Sequence, residues 1–127
     1  MVKIGSMVLD ETKVKAIYHD GEVAFVFVGT VSLGDEEDDE DTEFIPIQEV
    51  PDNIQGFVRI EGEEGTWLIN EDEIVGMDYD EEEGSVIVML RGCSFIRGEN
   101  LIVISREEDE EMFKRARRIY EEWMAKC

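Results

Sequence analysis

A chain of 127 residues with 43% hydrophobic content is long enough to form one domain and bury about two-thirds of its unfolded surface, which excludes a disordered acidic tail. Its 33 acids against 12 bases give a net charge of −21, a surface that repels nucleic acid and anionic membrane and attracts cations and basic proteins. No run approaches the ~18 apolar residues of a membrane span, the start MVKIGSM lacks a signal-peptide core, and Cys93 and Cys127 show no paired spacing, so the chain is expected to be cytoplasmic with reduced thiols.

In chain order, Val2 to Leu9 reads as a strand in which Gly5 and Ser6 permit a bend or bulge. The turn Asp10-Glu11-Thr12-Lys13 leads into Val14 to His19, whose mixed second face predicts a strand covered on one side only. After Asp20-Gly21 comes the most apolar run, Val23 to Val28. Apolar on both faces and rich in β-branched and aromatic residues, it predicts a central strand. Seven consecutive acids, Asp35 to Asp41, repel one another and predict an exposed loop. The following run, Phe44 to Gln48, contains Pro46, which cannot donate to a ladder and places that strand at an edge or bulge. Residues 50–53 (VPDN) form a seam between two halves.

The second half opens with a predicted hairpin, Phe57 to Ile60 and Thr66 to Ile69, joined at Gly62-Glu63-Glu64-Gly65. From Trp67 to Ile104, four short apolar runs separated by acidic or Gly-containing breaks have the punctuation of an antiparallel meander, with Val86 to Leu90 as a second central strand. Residues 8–20 set above 68–80 match in their apolar positions, Val8 with Leu68, Val14 with Ile74 and Ile17 with Met77. Residues 21–29 then fall on 84–92, the step in offset being the insert Glu81-Glu82-Glu83. An internal repeat of residues 7–47 and 67–104 would account for this, although two unrelated acidic meanders could also align so. At the end the period changes. Ser105 with Glu108 has the form of a capping box, and Met112, Phe113, Ala116, Ile119, Tyr120, Trp123 and Met124 make one apolar stripe on a helix expected over 106–125. That stripe packs on its own sheet or serves as a homodimer interface.

The fold expected is therefore one α+β domain, a mostly antiparallel β-sandwich or half-barrel of seven to nine strands from two related meanders, with one C-terminal amphipathic helix.

Few residues suggest chemistry. His19 is the one histidine and lies beside a turn, Cys93 has no second histidine to serve it, and no serine lies in a nucleophile elbow or a phosphate loop. No catalytic residue, metal site or cofactor is expected. The stretch Asp78 to Gly84 fails as a calcium loop because Glu83 and Met89 stand where a glycine and a bidentate glutamate are needed. The net charge of residues 106–127 is near balance, with 7 acids and 6 bases, so the excess falls on residues 1–105. This singles out Asp35, Glu36, Glu37, Asp38, Asp39, Glu40 and Asp41 as the contact for a basic protein surface, through steering and charge complementarity. The scarce cations offer an alternative: Arg91 and Arg97, with Arg59 and the ring of Phe95 nearby, would grip a small nucleotide-like anion.

The segment from Leu68-Ile69-Asn70 through Gly92 and Ile102 into the helix resembles the strand, Gly turn, strand, helix pattern of small flagellar proteins of the FlbD-like type, over less than half the chain. Small acidic proteins that mimic DNA, including phage inhibitors, are similar in charge and size. The function expected is accordingly a non-catalytic, acidic interaction protein, an inhibitor or regulator that mimics nucleic acid towards a basic partner.

Overall fold

The computed structural model describes residues 1–4, 7–28, 42–46, 50–51 and 53–126, of which 42–46 are described by their backbone alone. The fold is α+β. Among the described residues, ten strands, all paired antiparallel, form three sheets, followed by one helix. The five-stranded sheet has the order β5 (Thr42–Pro46), β4 (Val23–Phe27), β3 (Ala16–His19), β7 (Thr66–Asn70), β6 (Phe57–Glu61). The three-stranded sheet has the order β10 (Glu99–Ser105), β9 (Ser85–Ser94), β8 (Ile74–Asp80). A two-stranded hairpin pairs β1 (Val2–Ile4) with β2 (Met7–Leu9), Val2 opposite Leu9. Helix α1 runs over Glu110–Ala125.

The apolar pattern explains the layering. Ala16, Phe27, Ile60, Trp67 and Ile69 of the larger sheet meet Val86, Val88, Leu90, Ile102 and Ile104 of the smaller one, and α1 adds Met112, Phe113 and Ala116 to the same core. A second core lies on the other face of the larger sheet, where Ile17, Val26 and Leu68 are covered by Ile4 together with Val14 and Ile54. Strand β4 thus needs apolar residues on both faces, and it lies between β5 and β3 as its sequence predicts. β9 is central in its sheet, and β5, which ends at Pro46, is an edge. The sheets do not close into a barrel.

Three expectations are corrected. Residues 2–9 are two strands folded on each other rather than one strand with a bend. They form the lid of the second core, so β3 is covered on both faces, Ala16 in one core and Ile17 in the other, each fully buried. The helix begins four residues later than its capping-box pattern suggests. Its N-cap is Asp109, whose side chain accepts from the Met112 N–H, while Ser105 offers only its backbone carbonyl, to the N–H groups of Glu108 and Asp109.

The two halves share a succession of elements. Among the described residues, each shows a hairpin, then a 3-10 turn, then a three-stranded antiparallel meander. Asp10 caps the turn Glu11–Lys13 by accepting from Thr12 N–H, and Asn70, sixty positions on, caps Glu71–Glu73 by accepting from Asp72 N–H. In the β-turns that follow, Asp20 accepts from Glu22 and Val23 N–H and Asp80 from Glu82 and Glu83 N–H. Gly21 and Gly84 both take the positive φ that these turns require. Within β8 a bulge between Ile74 and Gly76 inserts Val75. With residues 84–92 set on 21–29, Met77 sits opposite Val88 as Tyr18 sits opposite Phe25, and both face the central core. Ile17, which the bare alignment places on Met77, faces the other way.

Candidate acidic interaction surface

Aspartates at turn starts serve the fold before they can serve a partner. Asp10 is held below the usual aspartate pKa first by the Thr12 hydroxyl and then by the Thr12 N–H, and Asp20 by the N–H groups of Val23 and Glu22. Asp109 is the most engaged. It accepts from Met112 N–H at 3.0 Å, Glu63 N–H at 3.1 Å and Glu64 N–H at 3.2 Å, so it caps α1 and also pins the β6–β7 turn. Burial pushes its carboxyl up, but the N–H groups of Met112, Glu63, Glu64 and Glu111 outweigh that and hold its pKa below the usual value.

The glutamates are freer. Among the described residues, ion pairs engage Glu11, Glu61, Glu73, Glu110 and Glu121. They leave the turn acids Glu63, Glu64, Glu81, Glu82, Glu83, Glu107 and Glu108 exposed and without a cation. The predicted contact, Asp35 to Asp41, lies outside the described residues.

The arginines of the alternative site are spread over two sheets. Arg59 is on β6 and pairs with Glu61 at 3.2 Å. Arg91, on β9, pairs with Glu73 at 3.1 Å and donates to the Asp72 carbonyl. Arg97 and Phe95 lie at the tip of the β9–β10 hairpin, both exposed. Neither cavity described below has an arginine in its lining. Cys93 is a half-buried free thiol, and among the described residues no group of three His, Cys, Asp or Glu side chains could hold a metal ion.

Two concavities are notable. The first, about 170 Å³, lies between β3, β7, β10 and the start of α1, with Tyr18, Trp67 and Met112 as walls and Glu64, Glu108 and Asp109 at its rim. Desolvation raises the Tyr18 pKa, and the charges of Asp20, Glu64 and Asp109 raise it further. Tyr18 and Trp67 are 5.1 Å apart between ring centroids, so this concavity sets an aromatic wall among carboxylates, an arrangement suited to a cationic side chain. The second, about 370 Å³, is an apolar cleft between the start of β8 and the end of α1, lined by Val75, Gly76, Met77, Tyr120, Trp123 and Met124. Neither was legible in the sequence, since one depends on the β10–β7 approach and the other on the bulge at Val75.

Fold and surface together define an α+β sandwich whose turns carry unneutralised carboxylates. Comparison with known protein families, curated proteins and solved structures gives no match. No helix among the described residues is long and apolar enough to cross a membrane.

Proposed function

We propose that the protein is a non-catalytic, cytoplasmic interaction protein that uses its acidic β-sandwich to occupy a basic surface on a partner, as an inhibitor or regulator standing in for nucleic acid. The observation that carries this reading is the placement of charge. Among the described residues, Glu63, Glu64, Glu81, Glu82, Glu83, Glu107 and Glu108 lie exposed on turns at the periphery of the sandwich, outside its ion pairs. Carboxylates held at fixed spacing and unneutralised are what long-range steering and complementary docking need. The aromatic and acidic concavity around Tyr18 and Trp67 adds a place for one lysine or arginine of the partner. The anion-binding alternative has less support, because Arg59 and Arg91 already hold carboxylates.

The test is retention of proteins from the native host's lysate at low salt, identification of the retained protein, and its affinity measured as salt is raised. A basic partner whose affinity falls steeply with salt, and falls again when Asp35 to Asp41 are changed to Asn and Gln, is expected. A partner indifferent to both, or a small anion released in place of a protein, refutes the reading.

A further inference from the structure

The repeated architecture leaves one position filled in the first half and open in the second. In the first half the edge of β3 is taken by β7, with Ile17 opposite Leu68, Tyr18 opposite Trp67 and His19 opposite Thr66. In the second half β8 stands in the place of β3. Its inner side pairs with β9, and among the described residues no strand pairs with its outer edge. An unpaired edge offers a row of N–H and C=O groups to another chain.

Beside that edge is the apolar cleft of Val75, Gly76, Met77, Tyr120, Trp123 and Met124. Val75 and Met124 are 58% and 57% exposed. By its partner on β9, Met77 takes the place of Tyr18, whose cross-strand partner on β7 is the buried Trp67. Asp78 takes the place of His19, and unlike Met77 it is exposed. A strand laid on β8 in the manner of β7 would therefore set one residue opposite Met77, towards the cleft, and the next opposite Asp78, towards solvent.

We propose that the open edge of β8 and the adjoining cleft receive an extended segment of the basic partner in which apolar residues alternate with lysine or arginine. This rests on the function proposed above and adds where and how the partner docks. Charge complementarity selects the occupant. β8 carries Asp78 and Asp80 and no cation of its own, Glu71 and Asp72 precede it, and the two cations beside it are engaged, Arg91 with Glu73 and the Asp72 carbonyl and Arg117 with Glu121 and the Tyr79 ring. A second copy of this chain would bring the same acids to the contact, and like charges oppose edge pairing. A basic strand gains main-chain hydrogen bonds from the edge, apolar burial from the cleft and cross-strand ion pairs from the aspartates.

The experiment uses the full chain and two capped ten-residue peptides of equal composition, one alternating leucine and lysine, the other with its leucines and lysines in separate blocks. Affinity is measured by titration, and the site by hydrogen exchange of the backbone amides of residues 75–79. The alternating peptide is expected to bind tighter and to protect those amides, and Val75→Asp and Met124→Asp should each weaken it by about tenfold with unchanged unfolding midpoints. Two exposed sites on different elements keep the test independent of folding at either one. If both peptides bind equally, with salt sensitivity but no protection of β8 and no effect of either variant, the acidic-surface reading stands and the edge proposal falls. If neither binds even at low salt, both fall. If those amides become protected with protein concentration alone, and Val75→Asp abolishes this, the occupant is a second copy and the proposal is overturned.

Discussion

Asp109→Ala removes one carboxylate from two structures at once. The N-cap bond to Met112 N–H is worth about 1 kcal/mol, and the bonds from Glu63 and Glu64 N–H, which tie the β6–β7 turn to the helix, add about 0.5–1 kcal/mol each because the group is half exposed. The expected loss is about 2–3 kcal/mol, a fall in Tm of about 10 °C for a domain of this size, read by thermal unfolding in circular dichroism. The pH dependence follows from linkage. The folded pKa of Asp109 lies below the ordinary aspartate value of 3.8, so its contribution is fully present above that value and is lost as pH falls below it towards the folded pKa. The gap between wild type and Asp109→Ala should thus be constant near neutrality and narrow below about pH 4. The control is Ser105→Ala, expected to cost under about 0.5 kcal/mol because the Ser105 side chain caps nothing. If Ser105→Ala costs more than Asp109→Ala, the helix starts where its local pattern says, and the tertiary cap is wrong.

Leu68→Ala, fully buried in the core under the β1–β2 hairpin, should cost about 2–5 kcal/mol in denaturant unfolding. Gly65→Ala should destabilise by about 1–3 kcal/mol, since a Cβ there collides with the ring and hydroxyl of Tyr18. Arg91→Ala should change stability by less than about 1 kcal/mol, because its pair with Glu73 is solvent-exposed on the arginine side. Absorbance titration near 295 nm should show Tyr18 ionising above the ordinary tyrosine value of 10.0. Because folding favours its protonated form, stability should decline as pH rises past 10, and a Tyr18 that titrates at or below that value would overturn its described surroundings.

What the sequence reveals depends on how much pattern each element carries. Val23–Phe27 and Val86–Leu90 alternate nothing and are apolar throughout, so their central places can be read directly, as can the edge at Pro46. The hairpin Val2–Leu9 contributes two strands of three residues, too short for a period to register, and with it went the second core and the burial of Ile17. The helix start departs from its local pattern for a different reason. Ser105 and Glu108 satisfy the local pattern, but the decisive partners of Asp109 are the N–H groups of residues 63 and 64, which no local window contains. Val75 likewise looks like an ordinary strand residue until the β9 register makes it a bulge. Of the candidate site, the charge was legible, while the cleft beside β8 required knowing where the end of α1 lies.

The pairing of β3 with β7 sets an order for synthesis. During translation the first meander emerges with β3 lacking its neighbour, and Ala16 and Tyr18 cannot be buried against Ile69 and Trp67 until the ribosome has released residue 70. A nascent chain that has emerged only as far as the seam near residue 51 would show to the cell an open strand edge and the two central-core residues it carries, Ala16 and Phe27. In that interval, the run of seven acids already extruded between β4 and β5 is the main electrostatic deterrent to association with other unfinished chains, a service rendered before the protein has met any partner.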